Sequence, residues 1–263
     1  MKIGFIGAGN MACAMIGGII EAGIVTKDEI IASSATQKTA DRVASQLGIK
    51  TTLDNVEVAQ SDIVVLAIKP IFCEEVIHQI AAVVTEKQLI ISIVAGRSLT
   101  WMNQCFGKNL AMVRTMPNTP ALVGEGMTAL CLNDMVSDIQ KQQTVQLFES
   151  FGEAEIVPER LMDAVVAVSG SSPAYVFLFM EAMADAAVAE GMPRQQAYHF
   201  VAQSVLGSAK MLLDTGKHPG ELKDMVCSPA GTTIAAVCKL EEKGFRSSVM
   251  ECMKACADKS RNL

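Results

Sequence analysis

The chain has 263 residues, half of them apolar and only 19% charged, which is material for about two buried cores. Its 22 basic and 28 acidic residues leave a net charge of −6 with no basic run, and this argues against nucleic acid as a partner. Few aromatics and 16 methionines suit adaptable helix packing and not a platform for stacked bases.

Ile3, Phe5 and Ile6 open the chain as a short apolar strand. Gly7-Ala8-Gly9-Asn10-Met11-Ala12 follows as G-x-G-x-x-A, and Met11 to Ile20 reads as an apolar helix ended by Gly23. Strand, glycine turn and helix in this order form the phosphate corner of a dinucleotide fold: Gly7 allows the turn, Gly9 admits a pyrophosphate, and Ala12 keeps helix and strand close. The helix start offers unbonded N–H groups and a favourable dipole to the phosphates. A secretory leader would have a shorter, leucine-rich centre without these glycines, and a membrane span would not carry Asn10 among them. The expectation is a cytoplasmic protein with no membrane partner.

The second strand, Glu29 to Ser34, ends in Ser33-Ser34, where NAD-binding chains place a carboxylate on the ribose 2′-hydroxyl. Thr36, Lys38 and Arg42 follow. Missing that carboxylate removes repulsion against a 2′-phosphate, so NADPH is expected ahead of NADH; the alternative is that two serines merely end a strand. Asn55 opens a short acidic segment. Residues 62–70, 89–96 and 109–114 are apolar runs of the kind buried on both faces of a parallel sheet. They lead into Lys69-Pro70, Ala95-Gly96 and Met116-Pro117-Asn118, which should line one crevice. Helices are expected over 72–84 and 134–151, an outer strand over 126–131, and a closing strand over 154–157. Pro158 is the expected boundary, giving domains 1–158 and 159–263.

Beyond it the pattern is helical: 160–168, a Ser169-Gly-Ser-Ser-Pro173 break, 174–190, 193–215, a short helix from Pro219, 229–242 and 245–260. The helix from Ala174 is apolar around much of its circumference and must be covered on several sides. About 100 residues cannot cover this much apolar helix alone, so a homodimer through this domain is expected. Eight scattered cysteines read as small buried hydrophobes in a reducing compartment, and Cys252 and Cys256 lack further ligands for a metal. Near the end, Ser228 and Pro229 suit the cap and first position of a helix. The N–H groups of residues 230–233, with Gly231 leaving room and two threonine hydroxyls adjoining, would form a carboxylate site. A well-capped helix with nothing bound fits the same spacing.

Five motifs give the chain a resemblance to pyrroline-5-carboxylate reductase along its whole length: Ile6 to Met11, Ala67-Ile68-Lys69-Pro70, Arg114 to Pro120, Ser169 to Tyr175, and Leu222 to Thr233 running on to Glu241. The last is the most specific. The resemblance implies NAD(P)H-dependent reduction of 1-pyrroline-5-carboxylate to L-proline, the last step of proline biosynthesis. It also implies a Rossmann-type α/β domain followed by an all-α dimerisation domain of the 6-phosphogluconate-dehydrogenase-like kind, sometimes with dimers joined in rings. By the same resemblance, Ile6, Gly7, Ala8, Gly9, Asn10, Met11, Ser33, Ser34, Asn55, Ala67, Ile68, Lys69, Pro70, Ala95, Gly96 and Asn118 contact the cofactor. Ser228, Ala230, Gly231, Thr232 and Thr233 hold the substrate carboxylate, and the Thr233 hydroxyl meets the ring nitrogen. Ser172 stands where the family usually has glycine. Related keto-acid reductases use a lysine on the first long helix of the second domain, and none lies between Leu161 and Ala209. An imine can arrive already protonated, so that absence favours C=N over C=O.

Overall fold

The computed structural model describes residues 1–262 as two compact units, the first formed by Met1–Ser171 with the stretch from Cys256 on, the second by Ser172–Ala255. Along the first unit run β1 (Ile3–Ile6), α1 (Asn10–Glu21), β2 (Ile30–Ser33), α2 (Gln37–Leu47), β3 (Lys50–Thr52), α3 (Asn55–Val58) and β4 (Ile63–Leu66). Then come α4 (Cys73–Ile80), β5 (Leu89–Ser92), α5 (Leu99–Phe106), β6 (Ala111–Met116), β7 (Gly126–Leu132), α6 (Asp138–Glu149), β8 (Gly152–Ile156) and α7 (Met162–Val165).

The eight strands form one sheet in the order β3-β2-β1-β4-β5-β6-β7-β8. Pairing is parallel from β3 through β6, β7 runs antiparallel to β6, and β8 is parallel to β7. Strand order reverses between β1 and β4, the switch point where open α/β sheets take ligands. Every residue of β1, β4 and β5 is buried, because apolar clusters cover both faces. Ile3 and Phe5 join Met15, Ile16 and Ile19 of α1 on one face. Ile6, Val64 and Leu66 pack with Ile77 and Ile80 of α4 and Met102 of α5 on the other.

The expected strands are present: β2, β4 and β5 are shorter than expected, β6 is shifted along the chain, and β7 and β8 are slightly longer. β4 stops at Leu66, four residues before Pro70, because the chain leaves the ladder once Ala67 N–H has bonded Ile6 O at 2.8 Å. The expected helix over 134–151 begins only at Asp138, where Ser137 and Gln140 form a capping box. α2, β3, α3 and α5 lie outside the expected elements; α2 and α5 carry readable ends in Thr36 with Gly48 and Ser98 with Gly107. Of the break expected over Ser169–Pro173, Ser169 and Gly170 belong to a turn of π-helix, Val166–Gly170, and only Ser171 separates it from the helix that begins at Ser172.

The second unit holds α8 (Ser172–Ala189), α9 (Arg194–Thr215), α10 (Pro219–Val226), α11 (Thr232–Glu242) and most of α12 (Phe245–Arg261). Gly191, at φ 95°, ends α8 in a Schellman motif, with Gly191 N–H on Val188 O and Met192 N–H on Ala187 O. The buried core of this unit is small: Ala184, Ala197 and Val201. Phe177, Leu178, Phe200, Leu206 and Leu213 stay exposed, Leu213 at 82%. Residues 159–189 are, by length and composition alone, long and apolar enough to cross a membrane. Isolated globular chains rarely leave so much apolar surface uncovered, and such a surface marks an interaction face.

All eight cysteines are unpaired. Cys73, at the start of α4, is fully buried, and that burial pushes its thiol up to about 11. Its neutral form therefore favours folding fully below pH 9, and that contribution is lost as pH rises toward 11. Alkylation of the native protein at pH 8, read by mass spectrometry, should label exposed Cys238 and Cys252 and leave Cys73 unmodified until denaturant is added.

Candidate cofactor and substrate sites

The first candidate site grows from the end of β1. Gly7 takes φ 102°, and a methyl there would run into the Ala67 carbonyl. Its N–H bonds Ser33 O at 3.1 Å, so the turn joins β1 to both neighbouring strands. Ala8 is buried and Gly9 caps α1 in an extended conformation, with open space where a side chain would stand. Cys13 N–H makes the first helical bond, to Gly9 O, so the N–H groups of Asn10, Met11 and Ala12 have no partner inside α1. No acidic residue occupies that first turn. Ala12 is buried against the core, as the close packing of helix on strand requires.

Beside this mouth lies a cleft of about 300 Å³ bordered by Ile6, Gly7, Ser33, Ser34, Asn55 and Ile68. Six of the expected cofactor residues thus meet in one place. The serine hydroxyls, however, are engaged within the protein: Ser33 Oγ donates to Asn55 Oδ1 at 2.7 Å, and Ser34 Oγ to Thr36 O at 2.9 Å. Asn55 in turn donates to Gln79 Oε1 at 2.9 Å, a partner on α4 that no sequence signal announces. Arg42 reaches back from α2 to Ala8 O at 3.4 Å, placing a guanidinium next to the glycine turn.

At the other strand ends, Ala67 and Ile68 are half-buried, Lys69 is exposed, and Pro70 starts a short 3-10 turn. Ala95 and Gly96 are half-buried, with Gly96 at φ 72°. The Arg97 guanidinium lies 4.8 Å above the Trp101 ring. Asn118 is buried, its amide bonded to Met127 N–H and Ser169 O. Glu159, just past the expected boundary, pairs with Arg114 at 3.0 Å and accepts from Leu99 N–H at 2.8 Å. Among the described residues no group of three His, Cys, Asp or Glu converges as metal ligands would.

In the second unit, the stretch 228–233 does form a helix mouth, but its start is shifted. α11 begins at Thr232 with Gly231 as cap, and not at Pro229 with Ser228 as cap. Ser228 to Gly231 is instead a β-turn closed by Gly231 N–H on Ser228 O at 3.0 Å. Pro229 at its second position and a positive φ at Ala230 make it type II. The amide of Gly231 is therefore engaged, and the N–H groups outside the helical ladder are those of Thr232, Thr233 and Ile234. Gly231 does not leave room on its α-carbon, because a methyl there would strike Ser228 Oγ. Thr233 is half-buried, while Ser228, Ala230 and Thr232 are exposed.

Residues 159–263 match the family model for the pyrroline-5-carboxylate reductase dimerisation domain, and residues 2–96 match that of the coenzyme F420-dependent NADP oxidoreductases. The chain is 49% identical to pyrroline-5-carboxylate reductase of Escherichia coli over 263 residues, covering 100% of this chain and 98% of that protein. It belongs to the pyrroline-5-carboxylate reductase family. The reductase of Methanosarcina acetivorans is 44% identical, with 100% and 97% covered. Among solved structures, the Plasmodium falciparum pyrroline carboxylate reductase with NADP bound superposes with a TM-score of 0.92 at 33% identity, covering 100% and 97% of the two chains. The Streptococcus pyogenes reductase does so with 0.90 at 37%, covering 100% and 99%. Prephenate dehydrogenase of Aquifex aeolicus, at 14% identity and a TM-score of 0.57, shares the fold alone.

Ala230, at φ 53°, is the one non-glycine residue with positive φ among those described. Its left-handed backbone costs roughly 1–2 kcal/mol, partly offset by the smaller unfolded-state freedom of alanine. Ala230→Gly should raise the unfolding free energy by roughly 0.5–1 kcal/mol in urea titrations.

Proposed function

We propose that this member of the family reduces 1-pyrroline-5-carboxylate to L-proline with hydride from NAD(P)H, the last step of proline biosynthesis. The observation that carries the reading is a family relationship running without interruption from the α1 mouth through residues 228–233, at 49% identity over 263 residues. The open Gly9, the acid-free first turn of α1 and the adjoining cleft fit a dinucleotide. When bound, that cofactor supplies the hydride.

The N–H groups of Asn10, Met11 and Ala12 take the pyrophosphate, with Ile6 to Gly9 lining it. Ser33, Ser34 and Asn55 shape the ribose end, and Ala67, Ile68, Lys69, Pro70, Ala95, Gly96 and Asn118 border the nicotinamide. Residues 1–158 serve as the cofactor domain and 159–263 as the substrate and dimerisation domain. In the latter, the type II turn of Ser228, Ala230 and Gly231 aims the free amides of Thr232 and Thr233 at the substrate carboxylate. Thr233 Oγ1 accepts from the N–H of the protonated imine and fixes the ring face presented. Hydride adds to the imine carbon while the C=N electron pair withdraws onto nitrogen, which already holds its proton. No protein acid is needed, in keeping with the absence of lysine between Leu161 and Ala209. The protein's part is orientation.

The exposed apolar faces of α8 and α9 are covered by a second copy of the chain in a homodimer, and the eight unpaired cysteines suit a cytoplasmic setting. Sedimentation at micromolar concentration should give a dimer or a ring of dimers; a monomer would remove this assignment. NADPH is the preferred donor, since Arg42 lies beside the glycine turn, Lys38 follows β2 in the chain and no carboxylate ends β2. Steady-state rates should give a higher kcat/KM with NADPH than with NADH. Thr233→Ala should lower kcat by roughly tenfold or more, with little change in cofactor affinity. Faster turnover of an α-keto acid than of pyrroline-5-carboxylate would replace the substrate assignment.

A further inference from the structure

Asn118 follows Met116-Pro117 at the carboxyl end of β6, and its side chain is only 8% exposed. Both ends of its amide are bonded within the protein. Oδ1 accepts from Met127 N–H at 2.9 Å, on β7, and Nδ2 donates to Ser169 O at 3.2 Å, in the π-turn. Ser169 O has a particular need for that donor. In a regular helix it would accept from the N–H of residue 173, and residue 173 is proline.

The neighbouring residues confirm a close fit on the same segment. Gly170 lies so near Met116 that a methyl on it would be 2.9 Å from Met116 Cε. The π-turn is wide, closed by Ser171 N–H on Val166 O at 2.8 Å. The segment 116–118 is thus held to the π-turn at both ends, by packing at Met116 and by a hydrogen bond at Asn118. A buried amide with both ends engaged holds backbone in place; contact with a ligand is not what its bonds provide.

We propose that Asn118 is a positioning residue for hydride transfer: standing in for the N–H that Pro173 lacks, it fixes the edge of the crevice against the π-turn. The inference rests on the reading of that crevice as the nicotinamide site. Asn118 then acts through the backbone it registers.

Three variants test it in the full-length protein. Asn118→Ala should lower kcat by roughly tenfold or more and raise the primary isotope effect measured with 4-deuterated NADPH, since misaligned donors slow the hydride step. Its NADPH Kd by calorimetry should stay within about threefold of the parent, because the adenosine half binds elsewhere. Adding Pro173→Ala, which returns an N–H to the helix, should recover part of the lost kcat. Unchanged kcat and isotope effect in Asn118→Ala, or a loss confined to Kd, overturns the proposal.

Should Asn118→Ala fail to fold, Asn118→Asp decides. Its carboxylate would face the Ser169 carbonyl and repel it, whereas the protonated acid can donate as the amide does. The raised folded-state pKa means that its stability is present at low pH and lost as pH rises. Its melting temperature and kcat should therefore approach the parent's near pH 5 and fall away by about pH 8. A constant gap between variant and parent across that range overturns the tie. The melting curves need no substrate, so they separate failure of this proposal from failure of the substrate assignment, which inactive parent protein would reveal.

Discussion

The arrangement of the first unit depends on the contact between Gly7 and the Ala67 carbonyl. β1 and β4 are neighbours in the sheet, and the chain continues from β1 to β2 on one side and from β4 to β5 on the other. The chain leaving β1 must bend at once to leave room for the start of α1, and it does so with Gly7 at φ 102° against the carbonyl of Ala67. No side chain fits between them. The bend directs the first amides of α1 outward and leaves Gly9 facing open space. A tight turn and an open helix start come from one backbone conformation.

Much of this was legible in the sequence because it rests on residue types with few uses. G-x-G-x-x-A after a strand has a narrow set of geometries: Gly7 makes the tight turn, Gly9 faces open space, and Ala12 is buried where helix meets strand. Runs such as 62–66 and 89–92 could be read because strands covered on both faces need no polar alternation. What stayed hidden depended on tertiary contacts. β3, with Lys50-Thr51-Thr52, is an edge strand of three residues, too short for a periodic signal. The Asn55–Gln79 bond links residues 24 apart in the chain. The cap of α11 was misplaced for a different reason: Ser-Pro is a strong helix-start signal, but here Pro229 sits inside a type II turn that Ala230 completes. Ser33 ends β2 and Ser34 follows it, as their sequence position implies, yet the direction of their hydroxyls is set by Asn55 and by the Thr36 carbonyl.

The two units divide their apolar surface unequally. In the first, both sheet faces are sealed by helices, and large side chains such as Phe5, Phe148 and Phe151 are fully buried. In the second, three small residues form the buried core while Phe177, Leu178 and Phe200 remain open to solvent. Helical periodicity could not have told these cases apart, because it reports which face is apolar and not what lies against it. The family model matched by residues 159–263, which hold that face, is that of a dimerisation domain.

The stack of Arg97 on Trp101 has a practical side. Trp101 is the single tryptophan of the chain, and it follows Ala95-Gly96 by a few residues. The indole emission of the whole molecule therefore comes from one address. Anything that shifts the guanidinium, or brings an absorbing ring within range, would be seen optically without any label being introduced.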